Sequence, residues 1–335
     1  MKKYHAAYPQ QDFIPRTKEN LCIIVVGVVL QDNKVLLIQE AKRSCYGKYF
    51  LPAGRLEKGE ELLDGVRREF QEESGLIFEP SRIVLVETNG PYWLSITFSG
   101  HVIGGQLKSS PDNESLQANW FSLAQVQEAE RHLCFRTRHK SLSSIHESTT
   151  FVLRAPIMHM IKAAMQFDIA SSPRSTFYQG MLAEAAGCML YRFALVWIDQ
   201  RTSIVYLCVT STNPVSLPCL RLNGGAGLVS AVDFFIQFIF HCDDTSPILW
   251  DKTNLSVIDL TYTPNQAFST AEHVTGDSLS VLLRIPLLMN SLPSCSTSFI
   301  WSPLSECGLS QKWVDLIGLP INTAMLPAYK CYNSR

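Results

Sequence analysis

Glu69, Glu72 and Glu73 stand at i, i+3 and i+4, a spacing that puts three carboxylates on one face if the segment is helical. Like charges so placed repel one another, so something else must stabilise them. A hard divalent cation with oxygen ligands does so, and Mg²⁺ commonly combines a few carboxylates with substrate phosphates. Leu62, Leu63, Val66 and Phe70 trace the complementary apolar stripe, predicting a helix with one buried and one acidic face. Gly75 falls where a left-handed C-cap would end it. Arg68, beside the cluster, could anchor Glu60 or hold the preceding loop by a bidentate ion pair. On its own, the REFQEE run reads more simply as a solvated, Glu-rich helix face.

The wider pattern decides otherwise. Gly54, Glu60, Arg68, Glu69, Phe70, Glu72, Glu73, Gly75 and Leu76 fill every fixed position of the box of the Nudix hydrolases, which this stretch resembles. The resemblance implies a loop–helix–loop that binds Mg²⁺, with Mn²⁺ as a substitute, and hydrolyses a nucleoside diphosphate linked to another moiety. It also implies an α/β/α sandwich around a mixed sheet. It assigns Glu69, Glu72 and Glu73 to the metal, together with the main chain at Ala53 and Gly54. Glu60, Arg68, Glu72 and Glu73 are implied as the catalytic set. Family members often recruit a further acidic residue from outside the box, and Glu114 is the candidate; a plain surface glutamate is the alternative. The general base is a box glutamate or Glu114.

The flanks bear on the substrate. VLLIQEAKRSCYGKYF before the box, with ETNGPYWLSITFSG and ESLQANWF after it, resemble the animal branch of 8-oxo-dGDP phosphatases over roughly residues 20–130. That implies hydrolysis of 8-oxo-dGDP and related oxidised purine diphosphates to the monophosphate and phosphate, cleaning the nucleotide pool. Lys42 and Arg43 could neutralise the diphosphate or simply solvate a strand end. Leu36 and Phe50 are expected to lie against the base, with Trp93 or Tyr92 available for stacking. The competing readings are an ADP-ribose or nucleotide-sugar pyrophosphatase and, from a different class, a nucleotide-binding scaffold.

Composition limits the partners. The chain has 335 residues, 29 basic and 30 acidic, a net charge of −1 and 46% hydrophobic residues. That is enough for two domains with sizeable cores. The balanced charge offers no bulk field for nucleic acid or an anionic membrane, and no stretch approaches a membrane span of about 20 apolar residues. Ten cysteines are scattered without CxxC pairs or zinc spacing. With no signal peptide, this fits a reducing, cytoplasmic setting; nuclear or mitochondrial presence and a homodimer stay open.

Four segments are expected: a flexible arm over 1–19, a catalytic α/β domain over 20–167, a Ser-rich linker over 168–182 and a second α/β domain over 183–325. Strands are read at 22–30, 35–39, 83–88, 93–100 and 120–121, with a second helix near 122–133 or 151–167. His132, His139 and His146 recur every seven residues, but without carboxylate or cysteine partners they read as surface histidines. The second domain reads as a degenerate Nudix-like repeat. LPCLRLNGG (217–225) falls on LPAGRLEKG (51–59), and the order hairpin, LP-loop, helix, strands and tryptophan strand occurs twice. Under that alignment Gly54 becomes Leu220, and Glu69, Glu72 and Glu73 become Phe235, Phe238 and Ile239. Such a domain could not bind Mg²⁺.

Overall fold

The computed structural model describes residues 14–88, 92–138, 151–169, 189–222, 228–240, 250, 256–267, 275–309, 311, 314 and 317. By internal contacts the chain divides into two units. One comprises Ile23–Leu85 and Ser95–Phe177, the other Met1–Cys22, Val86–Leu94 and Tyr178–Arg335.

In the first unit, β1 (Cys22–Gln31) is a β-branched run buried along most of its length, as a central strand requires. The chain turns through Asp32 and Asn33, at φ 49° and 58°. These residue types tolerate the left-handed region that a two-residue hairpin demands. It returns as β2 (Lys34–Glu40), pairing Leu30 with Val35 and Gln31 with Lys34. Then come β3 (Tyr49–Phe50), β4 (Ala53–Arg55), α1 (Leu62–Ser74), β5 (Leu76–Thr88), β6 (Trp93–Gly105), β7 (Ser115–Ser122), α2 (Leu123–Arg138) and α3 (Met158–Ile169). The sheet runs β3-β2-β1-β6-β5, with β4 on β1 and β7 on β2. Leu62, Val66 and Phe70 of α1 are buried, and Phe70 stacks on Phe78 of β5 at 4.5 Å between centroids. Gly75 ends α1 at φ 76°, its N–H donating to the Gln71 carbonyl at 2.8 Å.

Several expectations shift. Strand β6 extends to Gly105 and β7 starts at Ser115, so Glu114 directly precedes a strand. Both alternatives for the second helix are realised, as α2 and α3. His132 does have a carboxylate partner: its Nε2 lies 2.9 Å from Glu128 Oε1, one turn away on α2. His139, His146 and residues 170–182 of the expected linker lie outside the described residues.

In the second unit the elements are β8 (Met189–Ile198), β9 (Val205–Thr210), β10 (Cys219–Leu222), α4 (Leu228–Phe240), β11 (Ser256–Ala267), β12 (Thr275–Pro286) and β13 (Phe299–Pro303). Their sheet runs β11-β12-β8-β9-β13, with β10 on β8. It is mixed: β12 pairs β8 in parallel, and β9 and β10 pair β8 antiparallel. Apart from β3, which has no counterpart here, the order matches the first sheet. A hairpin leads, a short strand joins its first member, a helix follows, two strands extend that side, and a last strand joins the second member. Helix α4 packs on this sheet through Phe235, 4.6 Å from Phe193 of β8. Gln237 and Phe238 of α4 face solvent.

Residues 14–19, expected within the flexible arm, are hydrogen-bonded in this unit. The Thr17 N–H donates to Asp277 Oδ2, Thr17 Oγ1 lies 2.7 Å from the Tyr262 hydroxyl, and the Asp277 N–H donates to the Pro15 carbonyl at 2.7 Å. No helix among the described residues is long and apolar enough to cross a membrane.

One buried charge stands out. Arg284 of β12 is 7% exposed, and among the described residues its Nε and Nη1 have no hydrogen-bond partner. Burial depresses its pKa, because desolvation disfavours the charged form. An uncompensated buried cation costs stability that an apolar side chain of similar volume would not. Arg284→Met is therefore expected to raise the melting temperature, by about 2–4 °C for each kcal/mol recovered. A scanning-calorimetry comparison showing a lower melting temperature would contradict this account of Arg284.

Candidate functional site

The site is built where α1 meets β4. Strand β4 pairs antiparallel with β1, Gly54 opposite Val25 and Ala53 opposite Val26, which fixes its backbone in the sheet. The Ala53 N–H donates to Glu73 Oε2 at 2.9 Å. A Cβ on Gly54 would come within 1.9 Å of the Glu69 carboxylate. Only glycine leaves that carboxylate its place. The expected acidic face is thus not a solvent face: Glu69 is 7% and Glu73 1% exposed, whereas Glu72 is half-exposed.

Arg68 gathers the remaining carboxylates. Its Nε and Nη2 donate to the two oxygens of Glu60 at 2.7 and 2.8 Å, a bidentate pair. Its Nη1 donates to Glu69 Oε1 at 2.8 Å and to Glu72 Oε2 at 3.1 Å. Nη2 also reaches the Arg55 carbonyl at 3.2 Å, so Arg68 both anchors Glu60 and holds the loop. Glu60 in turn accepts from the Glu57 N–H at 2.8 Å. The Glu60 hydrogen bonds raise the guanidinium pKa above its ordinary value, against the opposing effect of burial. Burial likewise raises the Glu69 pKa, opposed by the bond from Arg68.

Glu73 is the extreme case. Burial pushes its pKa up to about 8, although the Ala53 N–H and the nearby Lys42 both favour the charged form. Lys42 Nζ lies 3.3 Å from Glu73 Oε1, with the lysine side chain 45% exposed. The helix C-terminus is tied down by residues that the sequence reading overlooked. Lys108 Nζ donates to the Glu72 carbonyl and Ser115 Oγ to the Glu73 carbonyl at 2.6 Å, capping orphan carbonyls with a favourable positive charge.

The other expected residues are less well placed. Glu114 is half-buried beside Ser115, its N–H donating to Asp112 Oδ1 at 2.9 Å. Among the described residues it makes no hydrogen bond to the carboxylate cluster. Arg43 is exposed. Leu36 is 0% exposed and laddered to Trp120 of β7, so it presents no side-chain surface to a base. Phe50 is buried beneath Arg154, whose guanidinium carbon lies 4.3 Å from the ring centroid. Trp93 opens β6, half-exposed, in the segment grouped by contacts with the other unit.

Whether the cluster fits a metal can be judged from its donors. Among the described residues no three acidic, histidine or cysteine side chains already converge as a ligand set. A cation nevertheless sits among Glu60, Glu69 and Glu72, namely the Arg68 guanidinium. The buried carboxylates of Glu69 and Glu73 lie against the 53–54 backbone. All-oxygen donors of this kind suit a hard divalent ion.

Residues 23–139 match the NUDIX domain family. The uncharacterized Nudix hydrolase YvcI of Bacillus subtilis is 33% identical over 112 residues, which cover 31% of this chain and 68% of that protein. The chain belongs to the Nudix family. Within that family it is similar to the 8-oxo-dGDP phosphatase NUDT18 of Homo sapiens, 47% identical over 109 residues, or 32% of this chain and 34% of the relative. The chain thus spans about a third of the length of that relative in matched sequence. The ADP-ribose pyrophosphatase of Methanocaldococcus jannaschii is 35% identical over 106 residues, 30% of this chain and 62% of that protein. Nudix hydrolases generally use divalent metal ions and act on small nucleotide substrates.

The Glu73 shift has a measurable sign. Its ordinary value is 4.5 and its value in the folded chain about 8. Between those values the folded chain keeps a proton that the unfolded chain releases, so stability is lost as pH rises through this window. In buffer with a chelator, the melting temperature is expected to fall between pH 5 and 8. Glu73→Gln should flatten that fall. An unchanged slope in the variant would show that Glu73 is not its source.

Proposed function

We propose that the chain is a Mg²⁺-dependent hydrolase of oxidised purine nucleoside diphosphates, with 8-oxo-dGDP as preferred substrate and the monophosphate and inorganic phosphate as products. The observation that carries the reaction class is the seating of Glu69 and Glu73 against the 53–54 backbone, with Arg68 binding Glu60, Glu69 and Glu72. Similarity to the human 8-oxo-dGDP phosphatase supports the substrate.

In this reading Glu69, Glu72 and Glu73 hold the ion together with the Ala53–Gly54 main chain, and Mn²⁺ is a substitute. Bound there, the ion would neutralise charge on the diphosphate. The chain's own residues do the rest. Arg68 fixes the carboxylates relative to the loop. Lys42 adds a positive charge beside Glu73, where the phosphates would enter. A carboxylate takes the proton of the attacking water; Glu72, Glu73 and Glu114 are the candidates. Water adds at phosphorus, the phosphoanhydride bond breaks, and its bridging oxygen leaves on one of the two products.

The second unit, in the same proposal, is a degenerate Nudix-like repeat. It repeats the order of strands and helix, while Leu220, Phe235, Phe238 and Ile239 stand where Gly54, Glu69, Glu72 and Glu73 stand in the first. The domain limits 20–167 and 183–325 belong to this proposal.

The deciding assay is the full chain with Mg²⁺ on 8-oxo-dGDP, dGDP and ADP-ribose. The expected result is release of phosphate from 8-oxo-dGDP with the highest kcat/KM. Preference for ADP-ribose, as the archaeal relative's name indicates for that protein, would replace the substrate assignment. Glu69→Gln and Glu73→Gln should each lower kcat by about 100-fold or more while leaving the fold intact by circular dichroism. Activity retained in both would defeat the site assignment.

A further inference from the structure

Arg154 lies beyond both the NUDIX match and the Ser115–Ser122 strand, yet the fold returns it to the first unit's site. The segment carrying it lies beside β3: the Tyr49 N–H donates to the Val152 carbonyl at 2.8 Å and the Arg154 N–H to the Tyr49 carbonyl at 2.9 Å. Its guanidinium rests on the Phe50 ring and pairs through Nη1 with Glu40 Oε1. Glu40 ends β2 and is held on both backbone sides, its N–H donating to the Lys48 carbonyl and its carbonyl accepting from Gly47, each at 2.8 Å. Its charge lies close enough to Lys42 and Glu73 to act on both. Glu40, Phe50 and Arg154 thus form a built corner next to the carboxylate cluster.

The corner's chemistry points away from the phosphates. A guanidinium paired with a buried carboxylate has little net charge to offer a dianion, but it keeps rigid, directional N–H donors. Such a group recognises neutral acceptors at a fixed angle. Arg154 is 37% exposed while Glu40 is 1% exposed, so the arginine is the member that can meet a ligand. The second oxygen of Glu40, Oε2, is buried and accepts no hydrogen bond among the described residues. It leaves the carboxylate able to follow a small shift of the arginine without losing it. Guanine-type bases carry an oxygen acceptor at C6, whereas adenine-type bases place an amino donor there; in an 8-oxo purine N7 carries a hydrogen, so the group at C6 is what separates the two. An 8-oxo group adds one more oxygen acceptor to the ring.

Resting on the diphosphate-hydrolase reading above, we propose that Arg154 donates hydrogen bonds to the oxygen-bearing edge of the substrate's purine, with Glu40 and Phe50 as its positioning residues. The site then selects purines with an oxygen at C6 over those with an amino group there. Phe50 acts through Arg154, which explains why the ring is covered.

The test measures kcat and KM of the full chain with Mg²⁺ on 8-oxo-dGDP and on 8-oxo-dADP. For Arg154→Ala we expect KM for 8-oxo-dGDP to rise about 10-fold or more, with kcat and the values for 8-oxo-dADP little changed. Arg154→Lys keeps the charge and should not restore the ratio. Glu40→Gln combined with Arg154→Ala avoids leaving an unpaired buried carboxylate and should show the same lost preference. An equal fall for both substrates would mean that Arg154 serves the phosphates or only the fold, and would overturn the inference. So would an unchanged ratio. A wild-type chain inactive on every purine diphosphate would instead overturn the functional reading, and this inference with it.

Discussion

Everything at the site depends on two carboxylates being buried before any substrate arrives. A buried carboxylate is costly unless donors or charges compensate it, and the fold supplies these from separate directions. The sheet contributes the Ala53 N–H, the helix contributes Arg68, and the loop after β2 contributes Lys42. The compensation is incomplete, as the displaced protonation of Glu73 shows. That residual cost is what a bound divalent ion would relieve, so binding of an ion there would also stabilise this corner.

Burial also explains why the surrounding fold is so constrained. Glu69 fits only because position 54 has no side chain, and position 54 is held only because β4 is laddered to β1. Helix α1 is pinned at its far end by Lys108 and Ser115. A shift of the helix by a fraction of a turn would move both carboxylates off the β4 backbone.

Most of this was legible in the sequence, and the reasons for the gaps are physical. The box is readable because helix periodicity and a fixed loop length turn spacing into geometry. Periodicity also marked α1, the hairpin and the recurrence of the whole order of elements in the second half. What it could not show is how a face is used. Glu69 and Glu73 read as a solvated or metal-facing stripe, and only the packing of β4 shows them enclosed. Glu40 and Arg154, 114 positions apart, meet because a segment returns beside β3, and no local pattern marks that return. Leu36 was read as lining a base, but a β2 position laddered to β7 belongs to the core. His132 found its carboxylate one helical turn away, a spacing visible in the sequence and passed over.

The glycine at position 54 has a historical consequence. In the second half the corresponding residue by alignment is leucine, on a strand paired into its own sheet in the same manner. A glutamate restored at position 235, the counterpart of Glu69 by alignment, would meet a bulky side chain instead of an open cradle. The leucine would have to revert first, and that change alone confers nothing. If the two halves descend from one ancestor, the loss works as a ratchet: a single small-to-large substitution in the loop strand closes the path back for the counterpart of Glu69.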